Sequence, residues 1–156
     1  MPQRTDLWLQ NLLDERDGAA LYEGLAGVER DPGKAGSFRE LAQGERRHAA
    51  VWEKKLEKEG VALPPDRPSS RVRVLVWLAR RLGTAAVLPL VLEAEGKDAD
   101  KYTAQGGEAV AMAEEEREHR TVLAGMGEPQ TARSLIAVRE RWHRGGRAGS
   151  IRAAIF

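Results

Sequence analysis

The feature that most constrains this chain is a four-residue step that occurs in each half: Glu45-Arg46-Arg47-His48 and, about seventy residues later, Glu116-Arg117-Glu118-His119. In a helix, residues three apart share a face, so the Glu and His of each step point the same way. Phe38, Leu41, Ala49 and Trp52 stand at helical spacing around the first step, and Ala109, Met112 and Leu123 around the second. Both faces are therefore turned towards a core. A carboxylate and an imidazole in apolar surroundings are costly unless a mutual hydrogen bond or a metal ion compensates them.

Each step is preceded by a second matching pair. Glu15 is followed seven residues later by Tyr22, and Glu95 seven residues later by Tyr102. The midpoint between Glu15 and Glu45 falls beside Asp31-Pro32-Gly33, and that between Glu95 and Glu116 falls near Gly106-Gly107, both turn signals. Two antiparallel helical hairpins would thus set each lone Glu level with the Glu-x-x-His step of its own hairpin. Packed face to face, the hairpins would bring four carboxylates and two imidazoles together.

The rest of the chain fits this plan. A first helix, capped by Thr5 or Asp6, is expected to run to about Glu29 with Trp8, Leu12, Ala19, Tyr22 and Ala26 in one stripe. Asp31-Pro32-Gly33 stops it, and a second helix follows from about Ala35 to Glu59. A Pro-rich connection leads to a short amphipathic helix, Val72 to Leu82 with Trp77. The third core helix ends near Gln105, and Pro89 either kinks it or marks its start. The fourth carries Glu116 and His119, and Gln130 to Trp142 reads as a fifth, less regular helix. The fold class is all-α. Composition agrees: Ala, Leu, Glu and Arg abound, aromatics make up 5%, and there is no Cys, which excludes disulfides and thiolate metal sites. A net charge of +1 makes no case for nucleic acid. The N-terminus has no apolar signal region, and every apolar stretch is broken by charge, Gly or Pro, so a cytosolic domain is expected.

One Glu from each of two helices and Glu-x-x-His from two others is the ligand pattern of ferritin-like carboxylate bundles that bind two metal ions. On that pattern Glu15, Glu45, His48, Glu95, Glu116 and His119 are the metal ligands. Four carboxylates balance two divalent cations, and hard oxygens with imidazole suit iron, with manganese or zinc as substitutes. Tyr22 and Tyr102, two turns from Glu15 and Glu95, are placed to hydrogen-bond a ligand carboxylate of the opposite hairpin. The bland alternative is a helical bundle with buried salt bridges and no metal. Glu140-Arg141-Trp142-His143 repeats the step without the Glu and Tyr partners and reads as structural. Glu93, Glu114, Glu115 and Glu118 read as solvated helix faces, and Asp98 as a candidate extra ligand.

These residues carry a resemblance to the rubrerythrin-type ferritin-like domain at the N-terminus of some vacuolar iron transporter family proteins, the group that includes membrane-bound ferritins. The resemblance covers about residues 5–126. It implies a ferritin-like four-helix bundle over residues 1–126, made of two hairpins with a short connecting helix, and a C-terminal helix with a basic tail over 127–156. The tail, from Arg133 to Arg152, has six arginines and one acid, and Trp142 to Phe156 is similar to the approach to that family's first membrane span. A membrane domain is therefore expected beyond Phe156, holding this domain at the cytoplasmic face. The implied function is an iron-binding module that serves a membrane iron transporter by sensing, buffering or delivering Fe²⁺. The competing function is a stand-alone rubrerythrin-like ferroxidase or peroxidase acting on O₂ or H₂O₂. A third reading is a helical interaction module, and a homodimer is expected alongside either metal function.

Overall fold

Asp31 shows how local chemistry sets the first hairpin. Its carboxylate accepts a hydrogen bond from the Lys34 backbone N–H at 2.8 Å, and Pro32 occupies the first helical turn, where its missing N–H costs nothing. Asp31-Pro32-Gly33 is therefore the start of the second helix as much as the stop of the first. The computed structural model describes residues 4–107 and 109–127. In it α1 spans Arg4–Val28 and α2 spans Pro32–Lys58, starting three residues before the expected Ala35. Thr5 and Asp6 already lie inside α1, so neither caps it.

The C-terminus of α2 closes through Gly60 at φ +70°, with Gly60 N–H donating to Glu57 and Val61 N–H to Leu56. This is the 6→1 and 5→2 pattern that needs a left-handed residue, the role for which glycine is suited. After an extended connection, Ser69 caps α3, Ser70–Leu82, while its own N–H donates to Asp17 Oδ1 at 2.9 Å and ties the connection to α1. A 3₁₀ turn, Thr84–Ala86, leads into α4, Leu88–Gln105, and α5 spans Ala109–Gly127. Pro89 stands in the first turn of α4, so it begins the helix rather than kinking it. Gly106 and Gly107, at φ +69° and +57°, make the tight turn into α5. The described residues are all helix and connection, without strands, and none of these helices is long and apolar enough to cross a membrane. The expected helix from Gln130 to Trp142, Glu140 with His143, and the arginine-rich tail lie outside the described residues.

Side-chain pairs fix the helix directions. Along α1 and α2 they run Arg16–Glu53 and then Glu23–Arg46; along α1 and α4, Asn11–Gln105, Glu15–Tyr102 and then Tyr22–Glu95. Partners on one helix advance as those on the other retreat, so both pairs are antiparallel. Two apolar clusters fill the interior at opposite ends. One gathers Tyr22, Leu25, Phe38, Leu41, Val91, Leu123 and Met126; the other gathers Leu12, Trp52, Leu56, Tyr102 and Met112. The Glu-x-x-His steps lie between them.

α3 reaches the first cluster by a close approach to α1. A Cβ at Gly24 would stand 2.4 Å from Val76 Cγ2, nearer than two carbons can pack, and Val72, Leu75 and Ala79 are buried at this contact. Because Val76 is β-branched it has few rotamers in which to retreat. Gly24→Ala should destabilise the protein by about 1–3 kcal/mol, the usual range for overpacking; urea unfolding at an unchanged m-value would measure it, and an unaltered midpoint would show that α3 gives way freely.

Candidate metal centre

His48 and His119 are fully buried, and their rings stack with centroids 6.1 Å apart. The Nδ1 atom of each faces carboxylates. His48 Nδ1 lies 3.2 Å from Glu15 Oε2 and 3.1 Å from Glu116 Oε1; His119 Nδ1 lies 3.0 Å from Glu45 Oε1, 3.5 Å from Glu116 Oε2 and 3.6 Å from Glu95 Oε2. All six residues are at most 6% exposed. Their ligand atoms form two sets that could each hold a metal ion, one of Glu15, Glu45, His48 and Glu116, the other of Glu45, Glu95, Glu116 and His119, with the atoms of each set within 4.8 Å of one another. Glu45 and Glu116 belong to both sets. Each lone Glu falls with the histidine of its own hairpin.

The tyrosines cross between hairpins. Tyr22 on α1 donates its hydroxyl to Glu95 on α4, and Tyr102 on α4 donates to Glu15 on α1. Each ring is also held by stacking, Tyr22 on Phe38 and Tyr102 on Trp52. Since Tyr22 belongs to one apolar cluster and Tyr102 to the other, they close the acidic layer at its two ends.

Glu115 corrects the sequence expectation. It is not a solvated face: it is 3% exposed, Oε2 lies 2.9 Å from His48 Nε2, and Oε1 accepts from the Arg47 guanidinium at 2.8 Å. The acceptor at Nε2 leaves Nδ1 to face the carboxylate cluster, the arrangement by which an outer carboxylate orients a ligating histidine. The signal was present in the spacing, because Met112, Glu115, Glu116 and His119 follow the 0, 3, 4, 7 pattern of one buried stripe. Glu93 and Glu114 are exposed and Glu118 is half-buried. Asp98 pairs with Lys101 at 3.0 Å and lies outside both sets. Sequence reasoning also passed over Asn11, fully buried one turn before Glu15, which exchanges two hydrogen bonds with Gln105.

Electrostatics divide the cluster. Burial pushes the Glu15 and Glu95 carboxyls well above the usual range, the charges of Glu45 and Glu116 adding at Glu15 and that of Glu116 at Glu95, against the opposing pull of the histidines. Burial alone would lower both histidines, yet the charge of Glu15 on His48 and of Glu116 on His119, with the other carboxylates close to each ring, raises them well above their ordinary value. Burial opposes ionisation of Glu116 and Glu115 as well, but His119 holds Glu116 well below the carboxylate range, and His48 brings Glu115 to about 2.

The fit to a cation can be judged from orphaned atoms. Glu45 Oε1, Glu95 Oε2 and Glu116 Oε1 are buried and accept no hydrogen bond, although two of them stand within 3.1 Å of imidazole nitrogens. Buried carboxylate lone pairs that meet no well-aligned donor are what a cation would satisfy, and an acceptor left so otherwise costs about 1–3 kcal/mol. The donor set of hard oxygens and imidazoles fits divalent ions of the iron, manganese and zinc type. Glu15, Glu95, His48 and His119 have raised folded values, so they keep protons as pH rises, and a cation must displace them. Binding should weaken by about tenfold per pH unit on acidification for each proton displaced. Calorimetric titration with Zn²⁺ in two buffers of different ionisation heat should show proton release; equal heats in both buffers would contradict it.

The chain matches no family model, no curated protein and no solved structure.

Proposed function

We propose that this chain is a ferritin-like four-helix bundle that binds two divalent metal ions, iron foremost, between its hairpins. The observation that carries the reading is the pair of buried four-residue sets that share Glu45 and Glu116, each completed by its own Glu and His. Glu45 and Glu116 would bridge the two ions; Glu15 with His48, and Glu95 with His119, would each complete one site. Glu115 and the crossed tyrosines orient these ligands, and the two apolar clusters close the layer at its two ends. Without cations, four carboxylates gathered in a low-dielectric interior depend on protons, the two imidazoles and the two tyrosine hydroxyls.

The cellular role we infer is a cytosolic module that receives Fe²⁺ for a membrane iron transporter, sensing, buffering or delivering it. That part rests on the family resemblance and on the arginine-rich sequence from Arg133 to Arg152. Anaerobic Fe²⁺ titration is the test: wild type should take up two ions, and Glu45→Ala or Glu116→Ala should take up fewer with much weaker affinity. Equal uptake by all three would sink the proposal.

A second reading, ferroxidase or peroxidase activity, is favoured by the tyrosines. A pair of irons supplies two electrons to a dioxygen or peroxide oxidant. Tyr22 and Tyr102 each hold a hydroxyl proton on a ligand carboxylate, where it can be passed inwards or the carboxylate released. Stopped-flow mixing of the Fe²⁺-loaded protein with H₂O₂ should show oxidation faster than for free Fe²⁺; equal rates would leave the binding role alone.

A further inference from the structure

The histidine side of the carboxylate layer is covered: both imidazoles are fully buried, and Glu115 with Arg47 lies behind His48. The opposite side is open. A cleft of about 340 Å³ between α1 and α4 has exposed Leu90, Glu93 and Lys97 at its outer end and buried Glu15, Glu45 and Glu95 at its floor, so it runs from solvent to the carboxylates. Of the side chains that line it, Asp14, Glu15, Asp17, Glu45, Glu93, Glu95 and Asp98 are acidic, against basic Arg71 and Lys97. At the floor, Glu45 Oε1 and Glu95 Oε2, on residues only 5% and 6% exposed, make no well-aligned hydrogen bond, although His119 Nδ1 lies 3.0 and 3.6 Å away. Gly18 keeps the floor clear: a Cβ there would stand 2.9 Å from Glu45 Oε2.

We propose that this α1–α4 cleft is the entry route for a divalent cation, with Glu93 and Asp98 at its rim drawing the ion towards Glu45 and Glu95. The inference rests on the dinuclear reading above and adds to it a direction of approach. Seven acids against two bases leave the lining net negative, even with Glu93 paired to Lys97 at 2.7 Å and Asp98 to Lys101 at 3.0 Å. A net negative cleft with low-dielectric walls focuses the field and raises the local concentration of cations. The buried Glu45 and Glu95 carboxylates at the floor give an entering cation its first inner ligands, and the space beside Gly18 lets the Glu45 side chain sit against α1 without a steric barrier.

The experiment uses Co²⁺ alone as a coloured probe, mixed anaerobically with the protein in a stopped-flow instrument, and records both the loading rate and the equilibrium number of ions bound. Glu93→Gln with Asp98→Asn, both near the surface, should slow loading about tenfold at low salt, and the difference should shrink at high salt as screening shortens the reach of the rim charges. Ala94→Phe, which narrows the cleft, should slow loading at every salt concentration. In both variants the number of ions bound should stay that of wild type. Wild-type loading rates in the charge variant and in a folded Ala94→Phe variant, with two ions bound throughout, would overturn the route alone. Failure of the wild-type protein to bind Co²⁺ would overturn the dinuclear reading and the route with it.

Discussion

Loading the metal-free protein with two equivalents of Zn²⁺ or Fe²⁺ should raise its melting temperature by about 10 °C or more. The magnitude follows from linkage: an ion that binds only the folded state at a hundredfold excess over its dissociation constant adds about 2.7 kcal/mol per site. For a chain of this size 1 kcal/mol is worth about 4 °C. Variants should divide according to which set they touch. Glu116 serves both sets, so Glu116→Ala should remove most of the metal-induced shift, whereas Glu95→Ala leaves Glu15, Glu45, His48 and Glu116 together and should keep about half of it. Thermal denaturation followed by circular dichroism, with and without metal, measures all three proteins. Metal-free Glu116→Ala should still fold, because deleting one of four crowded acids relieves repulsion even as it leaves His119 less compensated. An equal metal shift in all three would mean that the ions bind elsewhere.

Glu115→Ala should have the second largest effect, although Glu115 belongs to neither set. It removes the acceptor at His48 Nε2 and the partner of Arg47 together. Loss of an outer-shell acceptor typically costs about 10–100-fold in metal affinity, and loss of a hydrogen bond to a charged group about 1.5–3 kcal/mol. Both should appear: weaker binding of one ion, and a lower melting temperature without metal. Glu115→Gln separates the causes, since its amide oxygen can still accept from Nε2–H while the charge is gone. Recovery of most of the affinity by Gln would assign the effect to ring orientation; no recovery would assign it to charge. The position should also respond to acid. Glu115 has a depressed folded value near 2 against about 4.5 when free, so its contribution is present above the free value and is lost as pH falls through the folded one.

Features that depend on one helix at a time were legible in the sequence. Glu45 with His48 and Glu116 with His119 share faces by the pitch of the helix, and Asp31, Gly60 and the Gly106-Gly107 turn punctuate the chain through local hydrogen bonding or glycine's left-handed backbone. The stripe of Leu12, Glu15, Ala19 and Tyr22 is buried, as period 3.6 requires. The start of α2 was misread by three residues because Asp31-Pro32-Gly33 serves equally as stop and start, and only the Asp31 cap decides between them.

What one helix presents to another was settled only by tertiary structure. Glu115 stands in the run Glu114-Glu115-Glu116, and each residue turns the side chain by about 100° around the axis. Local pattern leaves the width of the buried face open; the rotation of α5 against α2 decides that Glu115 meets His48 while Glu114 stays exposed. Likewise the exchange of Tyr22 to Glu95 and Tyr102 to Glu15 needs the register of α1 against α4, which is fixed by packing across the interior. The sequence alone thus determined that Glu15, Glu45, His48, Glu95, Glu116 and His119 lie on inward faces, because helical pitch is a local property. The tertiary structure decided which two carboxylates are shared, what orients His48 and where the acidic layer opens to solvent, because these depend on the distances between helices far apart in the chain.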